Sequence, residues 1–205
     1  MIKLFSEPGS CALAVHIVLE WIGEPYELQQ VKLGDPEYLK INPLGQVPAI
    51  IDGDGDVMTQ GDAILKYLAR KYPAAKLGDD GTLQDEYDLN RWMAFLTSDL
   101  HPAFVPFYKP ERYSIDRNEL SKQATKEASY QLIDRMYEYL DRHLNGKEFV
   151  VGNRRTISDA YAFAMIRWGN SLPNGLTNYP NLDRFYHYWY EDLAVKRVLT
   201  EQRLS

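Results

Sequence analysis

The sequence predicts an α/β domain followed by an all-helical domain, and three observations predict it. Short strand-like runs alternate with amphipathic helical patterns up to about Lys71. A polar, glycine-rich stretch, Lys76-Leu77-Gly78-Asp79-Asp80-Gly81, then reads as a linker. Every apolar pattern beyond it has the helical period. The two domains are placed at residues 1–75 and 83–205 of the 205-residue chain.

Residues 2–5 form a short apolar strand. Ser10 to Ile22 reads as a helix with Leu13, Ile17, Val18 and Trp21 on one face, Ser10 as N-cap and Gly23 as stop. Tyr26 to Leu33 alternates as a strand, and Pro36 to Ile41 supplies one or two helical turns. Val47 to Ile51 and Asp56 to Met58 flank Gly53-Asp54-Gly55, a hairpin signal. Gln60 to Lys71 is a helix burying Ile64, Leu65 and Leu68. Strands and helices thus follow in the order β-α-β-α-β-β-α, with mixed strand directions.

Beyond the linker, Leu89, Trp92, Met93, Leu96 and Leu100 mark a long helix that ends at His101, where Pro102 pushes the preceding residue out of helical geometry. Leu120, Ala124, Ala128, Leu132, Met136 and Leu140 mark a second. Thr156-Ile157-Ser158-Asp159 is an N-cap with an acid at the third helical position, close to a capping box, and opens a helix through Trp168. Asn181 to Asp192 gives one more.

The composition excludes several classes. A net charge of −6 argues against a nucleic-acid binder. No apolar run approaches a membrane span, and Glu7 and Pro8 come too early for a signal peptide, so the expected location is the cytoplasm. The single cysteine, Cys11, allows no internal disulfide and no Cys-x-x-Cys pair. Histidines 16, 101, 143 and 187 are scattered without cysteine partners, so no metal site and no cofactor is expected.

Chemistry concentrates in a few places. Val47-Pro48 enters a strand with a residue that donates no backbone hydrogen bond, which leaves the Val47 peptide groups free. Gln60 and Gly61 open a helix nearby. Free backbone groups, a helix N-terminus and a side-chain amide together suit a ligand with peptide bonds and carboxylates. Cys11 lies in the first turn of the first helix, beside Ser10, where orphan N–H groups favour an anion. A half-buried structural thiol is the alternative for Cys11. His101 heads an aromatic, proline-broken run, His101-Pro102-Ala103-Phe104-Val105-Pro106-Phe107-Tyr108, that looks like a kinked wall; a histidine bonding across a helix junction is the alternative. His16, set among apolar residues, reads as a core or subunit-contact histidine.

These residues accumulate into a family. The chain resembles the cytosolic glutathione transferases over nearly its whole length, and most of all the bacterial beta class. The resemblance rests on Pro8-Gly9-Ser10-Cys11-Ala12-Leu13-Ala14-Val15-His16, on Asn42-Pro43-Leu44-Gly45-Gln46-Val47-Pro48, and on Thr59-Gln60-Gly61-Asp62-Ala63-Ile64. Asp99-Leu100-His101 and Thr156-Ile157-Ser158-Asp159-Ala160-Tyr161 complete it. It implies a thioredoxin-like N-terminal domain with a cis Pro48, a helical C-terminal domain and a homodimer with its cleft near the subunit interface. Glutathione is implied as co-substrate, with Val47 on its cysteinyl backbone and Gln60 and Gly61 on its γ-glutamyl end. Cys11 and the amides near Ser10 would face the sulfur and His101 would reach it from the other domain. Phe104, Phe107, Tyr108 and Trp168 would wall a small electrophile. Relatives carry a basic residue for the glycyl carboxylate where this chain has Gly34, Asp35 and Pro36, which leaves Lys32 as the substitute. An acid usual in relatives is Gln60, a tyrosine is Ser6, and the basic residue after the histidine is Pro102.

The resemblance implies a transferase in which the glutathione thiolate attacks an electrophilic carbon. Two other readings remain open on sequence. Cys11 would form a mixed disulfide in a reductase or peroxidase cycle, with glutathione resolving it; or the fold would serve as a non-catalytic interaction module.

Overall fold

The computed structural model describes residues 1–116 and 118–204. Its first third is a four-stranded mixed sheet of order β2-β1-β3-β4. β1 (Ile2–Ser6) runs parallel to β2 (Tyr26–Gln30) and antiparallel to β3 (Ala49–Asp52), which pairs antiparallel with β4 (Met58–Thr59). A parallel pair cannot be closed by a tight turn, so α1 (Ala12–Ile22) makes the crossover. Strand alternation divides the sheet's faces. Ile2, Leu4 and Ile50 join the large core under α1 and α3 (Gly61–Lys71), while Phe5 and Ala49 pack with Tyr38 of α2 (Pro36–Ile41) on the other face.

Several boundaries move from the sequence expectation for identifiable reasons. β3 starts at Ala49, after the proline that has no N–H for the ladder, and the Val47–Pro48 bond is cis. The second strand stops at Gln30 rather than Leu33, and the hairpin closes with Met58–Thr59 rather than Asp56–Met58. Helix α1 begins at Ala12 with Cys11 in the cap position; the Ser10 hydroxyl still accepts from the Ala12 N–H at 3.3 Å.

The expected break at His101 does not occur. Helix α4 (Leu83–Ala94) passes through a π-helical segment, Phe95–Leu100, into α5 (His101–Tyr108). Pro102 has no N–H and its ring crowds the carbonyl four residues back. Widening to i→i+5 bonding, as in His101 N–H to Leu96 O, removes that conflict and keeps the helix going.

The long helix α6 (Glu119–His143) exists as expected but is rotated. Leu120 and Leu132 of the expected stripe are 83% and 41% exposed, and the buried residues are Ser129, Ile133, Tyr137 and Leu140. Hydrophobicity alone points to leucine and alanine. Yet the Ser129 hydroxyl donates to Ala103 O at 2.6 Å and the Tyr137 hydroxyl to Met165 O at 2.7 Å, so both polar groups are satisfied inside and their face turns to the core.

Helices α7 (Ile157–Trp168), α8 (Pro180–Tyr190) and α9 (Leu193–Glu201) complete the fold, and α7 is buried continuously from Ile157 to Ile166. The glycine-rich connection is pinned: Leu77 is buried, its carbonyl accepts from Ile157 N–H at 2.9 Å, and Gly78 O accepts from Arg154 at 3.0 Å. His16 is a fully buried core residue. Its Nε2 meets the Tyr26 hydroxyl at 2.7 Å and its Nδ1 accepts from Gln202 Nε2 at 2.9 Å.

The capping box that starts α7 is complete. Thr156 Oγ1 accepts from Ser158 N–H at 3.3 Å, and the buried Asp159 carboxylate accepts from the N–H groups of Thr156 at 2.7 Å and Val150 at 2.8 Å. Asp159→Ala removes the reciprocal half of the capping box and strands two buried donors, the N–H groups of Thr156 and Val150. We expect it to cost roughly 2–4 kcal/mol, the sum of that lost half and the unpaired buried groups. Urea unfolding is the measurement, and an unchanged midpoint would refute this account.

Candidate functional site

Two adjoining cavities open between the sheet domain and the helical domain, of about 430 and 790 Å³. They share Cys11, Gln46, Val47, His101 and Val105. The elements that bring these residues together are the loop before α1, the loop before β3, and the start of α5.

The loop before α1 is held by the helical domain. Gly9, at φ +77°, takes a left-handed turn that glycine adopts without strain. Its N–H donates to Gln202 Oε1 at 3.2 Å and its carbonyl accepts from Trp168 Nε1 at 2.8 Å. The loop before β3 is set by Gln46 O, which accepts from the Tyr38 hydroxyl at 2.6 Å and Asn42 Nδ2 at 2.7 Å. Val47 follows directly, its carbonyl accepting from the Cys11 thiol at 3.4 Å.

At the junction of the cavities the electrostatics favour neutral groups. Cys11 is 8% exposed, and burial pushes its thiol up to about 12 against the pull of the Cys11 and Ala12 N–H groups and the Tyr161 hydroxyl. Burial likewise lowers His101 to about 4, so the imidazole is neutral at pH 7. His101 Nδ1 lies 2.7 Å from the Tyr161 hydroxyl. Burial holds Tyr161 well above the ordinary tyrosine range, which keeps its O–H as a donor. An anion placed here meets the Cys11 N–H and the Tyr161 O–H, with the positive end of the α1 dipole behind them.

The smaller cavity ends at the start of α3. Gln60 takes φ +72°, an unusual conformation for a side-chain-bearing residue, and Gly61 opens the helix. A Cβ at Gly61 would stand 3.4 Å from Tyr161 Cε2 and 3.5 Å from Pro48 Cγ, so the backbone passes close under both. Asp62 gives one carboxylate oxygen to Lys66 at 2.8 Å; the other, Oδ1, is buried without a partner among the described residues. Unpaired N–H groups beside a lone carboxylate oxygen fit a ligand end that carries both a carboxylate and an ammonium.

The larger cavity has an aromatic wall. Phe104, Tyr108 and Trp168 line it, with Trp168 edge-on to Phe104 at 5.4 Å and to Tyr108 at 5.7 Å between ring centroids. Phe107, expected on this wall, does not line it. Residues 101, 104, 105 and 108 share one face of α5, and position 107 projects away from it.

The structure therefore brings Ser10, Cys11, Val47, Pro48, Gln60, Gly61, His101, Phe104, Tyr108 and Trp168 to one cleft. Lys32 lines neither cavity; it is exposed on the turn after β2, where the Leu33 N–H is held by Glu7 and Leu33 takes the inward place. Two residues escaped the sequence reading as site residues. Tyr161 sits in an apolar helical stripe that hides its hydroxyl, and Asp62 looks like an ordinary first-turn acid. The polar group in an otherwise apolar α7 face was the available signal for the first.

Comparison with known proteins agrees with this geometry. Residues 9–71 match the family described as glutathione S-transferase, N-terminal domain, and residues 96–191 the glutathione S-transferase, C-terminal domain. Glutathione S-transferase GST-4.5 of Xanthomonas campestris pv. campestris is 36% identical over 99% of this chain and 100% of its own. A bacterial beta class glutathione S-transferase from Sphingomonas chungbukensis superposes with a TM-score of 0.89 at 31% identity, covering 99% of this chain and 100% of its own. A sphingomonad glutathione S-transferase complexed with glutathione gives a TM-score of 0.87 at 30% identity with the same coverage. With a matching fold, matching domains and full-length similarity, the chain belongs to the glutathione S-transferase family and is most similar to its bacterial beta class.

Proposed function

We propose that this protein is a glutathione transferase that binds glutathione in the smaller cavity and conjugates its sulfur to an electrophile held in the larger one. The observation that carries the reading is the shared edge of the two cavities. A sulfur at Cys11, Val47 and His101 faces both compartments at once, which turns a bimolecular encounter into a positioned one. In this reading residues 1–75 carry glutathione and residues 83–205 supply the wall for the second substrate.

The Val47 peptide pairs with the cysteinyl backbone of glutathione beside Pro48. The N–H groups after Gln60, at Gly61 and its successors, take the γ-glutamyl carboxylate, and Asp62 Oδ1 takes the adjacent ammonium. The smaller cavity is lined by no lysine or arginine, so the glycyl carboxylate stays at the solvent edge. Asp62→Asn should weaken glutathione binding about tenfold or more, the usual penalty for unpairing a charged hydrogen bond. Lys32→Ala should leave the affinity within about twofold. Calorimetry giving the opposite ranking would refute the assignment.

At the sulfur, the thiol proton leaves to solvent and the thiolate is stabilised by the Cys11 N–H at the head of α1 and by the Tyr161 O–H, with His101 fixing Tyr161. The sulfur then attacks the electrophilic carbon and the leaving group departs into the larger cavity. Burial disfavours the mixed-disulfide alternative. With burial pushing the thiol up to about 12, Cys11 is held as the thiol at pH 7, and the thiolate is the nucleophile. Cys11→Ala should therefore keep appreciable activity, while His101→Ala and Tyr161→Phe should each slow turnover about 10–100-fold. His101 is already neutral above pH 5, so kcat/KM should rise with pH through the glutathione thiol alone, without an inflection near 6.5. Loss of all turnover in Cys11→Ala, or an inflection near 6.5 that His101→Gln removes, would overturn this division of roles.

The assembly we propose is a cytoplasmic homodimer that clears reactive electrophiles. Apolar side chains stand exposed where α4 and α6 meet: Tyr87 is 59% exposed, Leu132 41% and Tyr139 43%. Tyr139 there stacks on Trp92 at 5.5 Å. A second copy covering this face accounts for them. Light scattering at micromolar concentration should give twice the chain mass, and a monomer would contradict the proposal.

A further inference from the structure

Cations gather at one place in a chain whose net charge is −6. Lys109, Arg112 and Arg167 all line the larger cavity, against a single carboxylate, Glu7. Lys109 follows the last turn of α5, Arg112 ends the short 3₁₀ turn Pro110–Arg112, and Arg167 sits in the last turn of α7. A helix C-terminus favours a cation, which accounts for Lys109 and Arg167 taken singly. It does not account for three cations from separate elements converging on one aromatic cavity. Among the described residues none of the three forms an ion pair. Glu7, meanwhile, is committed to the Leu33 N–H at 3.2 Å.

Arg167 reaches furthest inward. A Cβ on Gly9 would lie 3.8 Å from its Nη1, which puts the guanidinium over the loop that carries Ser10 and Cys11. Its charge also acts on the hydroxyls of Tyr108 and Tyr186, two further residues lining the cavity. Filling this cavity with a neutral apolar molecule takes water from the half-buried Lys109 and Arg167 and offers them no partner in exchange. An anionic substituent offsets that loss with charge-assisted hydrogen bonds, which an arginine forms in pairs to a carboxylate.

We infer that the second substrate is an aromatic or apolar electrophile bearing a carboxylate, held by Lys109, Arg112 and Arg167 with its ring against Phe104, Tyr108 and Trp168. The inference rests on the transferase reading above and specifies the substrate class for it. Glutathione also carries carboxylates, so the test separates the two sources of the anion.

The probes are 4-chloro-3,5-dinitrobenzoate and its isosteric amide, 4-chloro-3,5-dinitrobenzamide. In both, the glutathione sulfur forms a bond to the ring carbon, chloride leaves with the electron pair of the broken bond, and the thiol proton goes to buffer. Each kcat/KM is divided by the uncatalysed rate constant with glutathione at the same pH. The carboxylate should be preferred about tenfold, because each partly exposed pair contributes a factor of a few. The preference should shrink to about twofold in Arg167→Gln combined with Lys109→Gln, and should fall with added salt. Equal selectivity in the wild type overturns the inference. So does a change confined to the glutathione KM, which assigns the cations to the glycyl carboxylate instead. If neither probe is conjugated, the transferase reading fails, and calorimetry with unreactive 4-amino-3,5-dinitrobenzoate and its amide decides the binding claim alone. About tenfold tighter carboxylate binding that the double variant loses supports it; equal binding overturns it.

Discussion

The structure depends on the burial of α1. Nine of its eleven residues are buried, because it has the sheet on one side and the helical domain on the other. A helix covered all round cannot be amphipathic in the usual sense, and this one is apolar on nearly every face. Its one imidazole, His16, is tolerated because each ring nitrogen finds a partner. The cleft follows from this arrangement. The N-terminus of α1 emerges at the edge of the domain junction, so the Cys11 N–H and the positive end of the helix dipole face the place where both cavities end. Rigid packing behind that terminus holds the donors in place, and α7, buried alongside it, brings Tyr161 to the same point.

Burial also decides what kind of chemistry the cleft can support. The groups nearest the expected sulfur position are dehydrated, and dehydration opposes charge on the protein's own residues: Cys11 stays a thiol and His101 stays neutral. A site whose own groups resist ionisation keeps its dipoles available for a charge that arrives with the ligand. That arrangement suits thiolate stabilisation better than it suits a protein nucleophile.

Much of this was legible in the sequence because local rules and global structure agree there. The Ser10–Gly23 helix, the Gly53–Gly55 hairpin and the Thr156–Asp159 cap each carry their own short-range chemistry, and each formed where expected within a residue or two. The failures occur where tertiary contacts outweigh the local pattern. Pro102 signals a helix end, yet π-bonding lets the long helix through. Leucine and alanine mark one stripe of α6, yet the Ser129 and Tyr137 hydroxyls find carbonyl acceptors and turn a neighbouring stripe inward. Within the cleft, the motif residues Val47, Gln60 and Gly61 line the cavity that their motifs suggested. Tyr161 and Asp62 gave no such signal, because what marks them is a hydroxyl turned to the domain junction and an oxygen without a partner among the described residues. Phe107 and Lys32 show the converse: residue type suited the wall and the anion, but helix phase and a turn direct them elsewhere.

The grip on Gly9 has a consequence for how the protein is made. Its N–H partner, Gln202, comes 193 residues later in the chain, and its carbonyl partner, Trp168, comes 159 residues later. During synthesis the sheet strands and α1 emerge long before either partner exists, and domains tend to acquire structure in order of emergence. The Gly9 N–H and C=O therefore stay bonded to water through the production of the helical domain. The cleft is finished from the far end of the chain, and a nascent N-terminal domain has the frame of the pocket without the reactive geometry. Reactive small molecules met at that stage find a sheet and a half-covered helix, not an assembled site.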